Sequence, residues 1–130
     1  MESASVFRNV ICALDLAHGN RAVLAWAAAF AQEFAATLRI VHVISMTTVR
    51  SGGIYFDPQW RAHVAHESRC RIADLQHDLG TTAEARIELG EIPEAVVTAT
   101  RDLDGDVLVI GRGPKSYSIL RECDCPVVAV

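Results

Sequence analysis

Val107-Leu108-Val109-Ile110-Gly111-Arg112-Gly113-Pro114 reads as a short buried strand running into a glycine turn. Four apolar residues without a polar interruption fit a strand covered on both faces, the usual state inside a parallel sheet. Turns of this kind at the ends of parallel strands hold phosphate groups when successive backbone N–H groups converge on the anion. The interval after this turn is short: fifteen residues, Gly111 and Cys125 both counted, bring the chain to Cys125-Pro126 and its last apolar segment. A phosphate-cradling loop with a full helix behind it has little room there. The stretch therefore predicts a nucleotide-type framework with a curtailed phosphate grip.

Working outward, the rest of the chain alternates strand and helix signals. Val10-Ile11-Cys12-Ala13-Leu14, closed by Asp15, reads as a strand buried on both faces. Gly19-Asn20 supplies a turn and an N-cap for an alanine-rich helix from about Arg21 to Ala36, in which Leu24, Trp26 and Phe30 are the larger apolar groups. Leu38 to Val43 forms the second strand, and residues 44–56, with Ser51-Gly52-Gly53, form a loop that can lie over the strand ends. Asp57-Pro58 starts a helix that stops at Gly80. Glu84 to Leu89 alternates polar and apolar groups as a half-exposed edge strand does. Gly90-Glu91-Ile92-Pro93 turns into a helix over Glu94–Arg101, and Ser116–Arg121 is at most a short helical turn before Val127-Val128-Ala129-Val130. Strands alternating with helices predict an α/β fold, an open parallel sheet with right-handed crossovers and helices on both faces. Ligands in such sheets sit beyond the carboxyl ends of the strands, where Asp15, Val43, Gly90 and Gly111 all fall.

Length and composition narrow the function classes. With 130 residues, a formal net charge of −4 and 51% apolar residues, the chain reads as a single domain, 1–130, able to bury its own core. Mild acidity and the absence of a basic run argue against a nucleic-acid partner. The start of the chain lacks a signal-peptide pattern and no apolar run is long enough for a membrane span, so the expected compartment is the cytoplasm. Cys12 lies in an apolar run and reads as a small buried hydrophobe, while Cys123-Asp124-Cys125 reads as two reduced thiols beside a strand.

Taken together, Val10–Asp15 with Arg21-Ala22, Ile40–Val43, Gly90–Pro93, Asp106–Gly111 and Cys125–Val130 resemble the universal stress protein family along nearly the whole chain. The resemblance implies a five-stranded parallel sheet in the order 3-2-1-4-5. It also implies a site in which nucleotide-binding members hold ATP with an aspartate after strand 1, a valine ending strand 2 and a glycine motif after strand 4. By that resemblance Asp15, Val43 and Gly111 match the aspartate, the valine and the first glycine. The motif continues as two residues, Gly, nine residues, then Gly followed by Ser or Thr. Here Pro114 occupies the second glycine position, Gly113 sits one place early, and Asp124-Cys125 stand where the distal pair belongs. Proline offers no N–H, and Arg112 and Lys115 attract an anion through charge without fixing its geometry. The expectation is a regulatory domain of this type that acts by protein contacts, with no secure ATP binding and no catalysis; an ATP or adenylate switch using Asp15, Val43, Gly111 and Gly113 is the alternative. Resemblance also implies a homodimer through the C-terminal edge strand Val127–Val130, whose apolar run has no charged guard.

Other constellations have plainer readings. At 100° per residue, His63, His66, Cys70 and His77 share a helix sector of about 60°, while Trp60, Val64, Ile72, Leu75 and Leu79 lie about 200° away on the face that meets the sheet. The first set is thus a solvent-facing polar stripe, although its residue types are those of a zinc site. His42 reads as a packed histidine near a strand end. His18 with Asp15 is a conceivable acid–base pair without a nucleophile, and Asp15 reads equally well as a turn acceptor. Trp26 and Trp60 are expected to fill the layers between helices and sheet.

Overall fold

The computed structural model describes residues 6–16, 19–45 and 57–130. The elements are β1 (Asn9–Ala13), α1 (Asn20–Glu33), β2 (Thr37–Ser45), α2 (Pro58–Leu79), β3 (Glu84–Gly90), α3 (Ile92–Asp102), β4 (Val107–Ile110), α4 (Ser116–Glu122) and β5 (Val127–Ala129). They build one five-stranded sheet in the order β3-β2-β1-β4-β5, parallel at every pairing. The order reverses between β1 and β4, with β1 central and β2 and β4 on either side of it. The apolar runs of β1 and β4 are correspondingly enclosed: Val10, Ile11 and Cys12 are fully buried, and so are Leu108 and Val109. The expected fold class is the observed one.

Alternation along the central strands divides the core in two. Val10 and Cys12 pack with Leu24, Ala27, Ile40 and Ile72 beneath α1 and α2. Ile11 faces the other way and joins Val41, Val96, Ala99, Leu108 and Ile119 beneath α3 and α4. On α1 the sheet-facing side carries Val23, Leu24, Ala27 and Ala31, and the two alanines let the second half of that helix settle close to the strands. Trp26 lies off this face. It is 39% exposed and stacks on Phe30 at 5.2 Å, within an aromatic group that includes Phe7 and Phe34. The expectation that Trp26 fills a helix–sheet layer is therefore corrected: Val23, Leu24, Ala27 and Ala31 occupy that layer.

Helix ends explain most boundary differences. Asp57 accepts the Gln59 N–H at 2.9 Å, and Gly80 closes α2 at φ 72°, as the sequence predicts. At α1 the cap is Gly19 at φ 77°, which has no side chain to bond, and the side chain of Asn20, the first helical residue, accepts the Leu16 N–H. That helix also ends at Glu33, short of Ala36, where Ala35 turns left-handed at φ 52°. β2 runs on through Ile44 and Ser45, two residues expected in the loop. The helix expected from Glu94 begins at Ile92, since Pro93 in a first turn forfeits no helical hydrogen bond. The loop residues Ser51, Gly52 and Gly53 lie outside the described residues, as does His18.

The amino ends of the strands are tied tightly. The Asp106 carboxylate accepts the Arg8 and Asn9 N–H groups, each at 2.8 Å, locking β1 against the start of β4. Gly105 passes so close to its neighbours that a Cβ there would sit 2.7 Å from Ile11 Cγ1 and 2.8 Å from Thr100 Cγ2. Only glycine fits.

Candidate functional site

Beyond the carboxyl ends of the strands the segment after β1 is built from interlocking bonds. The Leu14 N–H donates to the Val41 carbonyl at 2.9 Å, and the Leu14 carbonyl accepts the Nδ1–H of His42 at 2.7 Å. Leu16 is buried and left-handed at φ 59°, a conformation costly for a leucine and held here from two sides. Its N–H donates to Asn20 Oδ1 at 3.0 Å, and its carbonyl accepts the Arg71 guanidinium from α2. Asp15 projects from this turn with its side chain exposed.

His42 is 8% exposed, a packed histidine as expected. Burial pushes its pKa below the ordinary histidine range, and the Arg71 charge acts in the same direction. The Leu14 carbonyl and Asp15 oppose them without prevailing. The imidazole is thus neutral near pH 7, a donor to the backbone at Nδ1.

These pieces border a cleft of about 720 Å³ at the point where the strand order reverses. Asp15, Val43, Gly111 and Gly113, the four residues singled out from the sequence, all line it. Gly90 ends β3 but does not line it. The other wall is α2, which contributes Trp60, Val64, Ser68 and Arg71. Trp60 therefore lines the cleft rather than filling a helix–sheet layer, because the first turns of α2 lie beyond the strand ends. Sequence reasoning missed Arg71 and Ser68. Their signal is the spacing 60, 64, 68, 71, which puts all four on one helical face.

The segment between β4 and α4 spends its polar groups on itself. The Gly113 N–H donates to Ser116 Oγ at 2.8 Å, and the Ser116 hydroxyl donates to the Gly111 carbonyl at 2.9 Å. The Ser116 N–H turns back to the Gly113 carbonyl at 3.1 Å, and the Arg112 N–H reaches the Val130 carbonyl at 3.3 Å. Pro114 has no N–H to give. A phosphate cradle needs several such donors aimed outward. Here three of them point inward, and the helix behind them is only seven residues long. Arg112 and Lys115 stand exposed on the cleft lining, charges without a backbone nest.

The polar stripe on α2 is solvent-facing, as its helical angle requires. His63 lies 4.0 Å from Glu67, and Cys70 Sγ lies 3.5 Å from His66 Nε2. Among the described residues no three His, Cys, Asp or Glu side chains converge on a common point where a metal ion would sit. No helix among them is long and apolar enough to cross a membrane.

Sheet and cleft define a doubly wound α/β protein with a ligand-sized opening at its strand switch. The model of the Universal stress protein family matches residues 7–130, and the chain belongs to that family. Universal stress protein A homolog 1 of Coxiella burnetii is 27% identical to it, over 95% of this chain and 96% of that one. A universal stress family protein from Burkholderia pseudomallei, 22% identical, superposes with a TM-score of 0.77 over 98% of both chains. The universal stress protein of Archaeoglobus fulgidus in complex with dAMP, 18% identical, gives a TM-score of 0.65 over 95% of this chain and 98% of that one.

Proposed function

We propose that this protein is a regulatory domain of universal stress type that acts through protein contacts, without enzymatic turnover and without a secure hold on ATP. One observation carries the reading. Among the described residues, the backbone at this switch point in the place of a polyphosphate cradle is 111–116. Its Arg112, Gly113 and Ser116 N–H groups are bonded within the protein, with a proline between them. Remaking those bonds would cost each donor about 1 kcal/mol before any phosphate is held. Titration calorimetry with ATP and magnesium tests it: the expected result is no saturable heat at sub-millimolar nucleotide. Saturable binding that is lost in Asp15→Ala overturns it.

The contact surface in this reading includes the free side of β5. Pro126 accepts from Leu108 and Val130 donates to Ile110, so these residues face β4, while Val127 and Ala129 turn their backbone groups outward. Antiparallel pairing with the same strand of a second copy would satisfy them and cover the apolar edge. Sedimentation should show a dimer that Ala129→Pro converts to monomer, since the proline removes an outward N–H and no β4 bond.

A second reading is favoured by the cleft itself. At about 720 Å³ it lies within the roughly 300–1,000 Å³ range of small-molecule sites, and Asp15 and Val43 line it. With the polyphosphate grip absent, the ligand class it would suit is an adenylate with a single phosphate, the kind held by the Archaeoglobus fulgidus relative. Under this reading calorimetry detects AMP, and ATP binds no more tightly than AMP.

A further inference from the structure

At the opposite end of the sheet lies a second opening, of about 360 Å³, bordered by Thr100 and Arg101 of α3, the turn before β4, and Cys123, Asp124 and Cys125. The two sulfurs here are 3.5 Å apart and both residues are half-buried, with reduced thiols in contact. Neither of the other cysteines is so placed. Cys12 is fully enclosed in the core, and Cys70 stands exposed beside His66. The geometry points to Cys123 and Cys125 as a redox-active dithiol site that takes a low-molecular-weight disulfide and is converted by it to an internal disulfide.

Local structure prepares the pair. Cys123 ends α4, its N–H donating to the Ile119 carbonyl at 3.0 Å, and both cysteines pack against the core cluster beneath α3 and α4. The spacer residue Asp124 is turned toward Arg101 at 3.0 Å, which leaves the thiols side by side beneath the opening. To bond, the sulfurs must close from 3.5 Å to about 2.05 Å, a movement within the reach of side-chain rotation and a small backbone adjustment. Burial and the neighbouring Cys123 push the Cys125 thiol up to about 12, which makes Cys123 the readier nucleophile of the pair.

The chemistry balances in two exchanges. Cys123 loses its proton and its sulfur attacks one sulfur of the small disulfide, giving a mixed disulfide on Cys123 and releasing one small thiol. Cys125 then attacks Cys123 Sγ, its proton leaving with the second small thiol. The two cysteine sulfurs have been oxidised by two electrons, and the small disulfide has been reduced to two thiols. A bridge across one spacer residue closes a tight ring, and strained bridges are readily reduced, so the site reverts when thiols again predominate.

The test is incubation of the folded, reduced chain with oxidised glutathione, followed by alkylation in denaturant, which exposes Cys12, and peptide mass mapping. The expected product is a chain in which the peptide containing residues 123–125 is lighter by two hydrogens, with Cys12 and Cys70 still alkylated or Cys70 separately glutathionylated. C70S should oxidise at the pair as the parent does. C125S should stop at a mixed disulfide on Cys123, and C123S should lose the reaction at Cys125. The inference is overturned if the pair stays alkylatable under conditions that modify Cys70, if only bridges between chains form, or if Cys125 in C123S takes up glutathione as readily as Cys123 does in C125S.

Discussion

The turns after β1 and β4 meet at the same strand switch, yet they are built on opposite plans. After β1 the backbone is held open from outside: Asn20 takes the Leu16 N–H, Arg71 takes the Leu16 carbonyl, and a buried leucine is kept left-handed. After β4 the chain folds back on itself through Ser116 and closes its own donors. The helices differ in the same way. α1 seats Leu24 fully in the core over fourteen residues, whereas α4 has seven residues and Ile119 as its buried side chain. One wall of the cleft is thus anchored from outside, and the other closes its own backbone donors.

The contrast can be broken most severely at its anchors. Leu24→Ala removes a fully buried side chain and should cost about 3 kcal/mol in urea unfolding, whereas Leu120→Ala on α4, 46% exposed, should cost at most about 0.5 kcal/mol. Comparable losses would show that both helices are equally seated. Polar substitutions give smaller and more local effects. Asn20→Ala should lose about 1 kcal/mol and release Leu16 from its strained conformation, with faster amide exchange at Leu16 as the readout. Ser116→Ala should cost about the same, but it should also free the Gly113 N–H and raise the affinity for inorganic phosphate, which Asn20→Ala should not.

The smallest effect is a pH dependence that belongs to the anchored side alone. His42 has a folded-state pKa below its unfolded value near 6.5, so the unfolded chain binds the proton more readily. Its contribution to stability is present above about pH 6.5 and is lost as pH falls through the folded pKa. Urea midpoints at about pH 7.5 and about pH 5 should therefore differ less in His42→Gln than in the parent. An equal difference would show that the imidazole is not buried neutral in solution.

Much of this is legible in the residues because backbone chemistry speaks locally. The apolar run 107–110, the Asp57-Pro58 start and the Gly80 stop each act through neighbours in sequence, and the strands and helix ends fall where those signals put them. The shortened interval after Gly111 is equally plain as a count. The sequence does not show how the loop disposes of its donors, since Ser116 reaches Gly113 and Gly111 only through the folded turn. Arg71 is hidden for a related reason: it acts on Leu16, fifty-five positions away. Trp26 defeats sequence reasoning because size alone suggests the core, while the buried face of α1 is Val23, Leu24, Ala27 and Ala31 and the indole stacks on Phe30 beside it.

The decisive measurement is an amide-resolved NMR titration of the chain with AMP and then ATP. If the donors after β4 are committed to the protein, the Arg112, Gly113 and Ser116 signals stay in place with either nucleotide, whatever happens near Asp15 and Val43. Saturable shifts at those three amides that strengthen from AMP to ATP would mean that the segment opens to take a polyphosphate, and would contradict the division of the cleft into an anchored wall and a self-closed one.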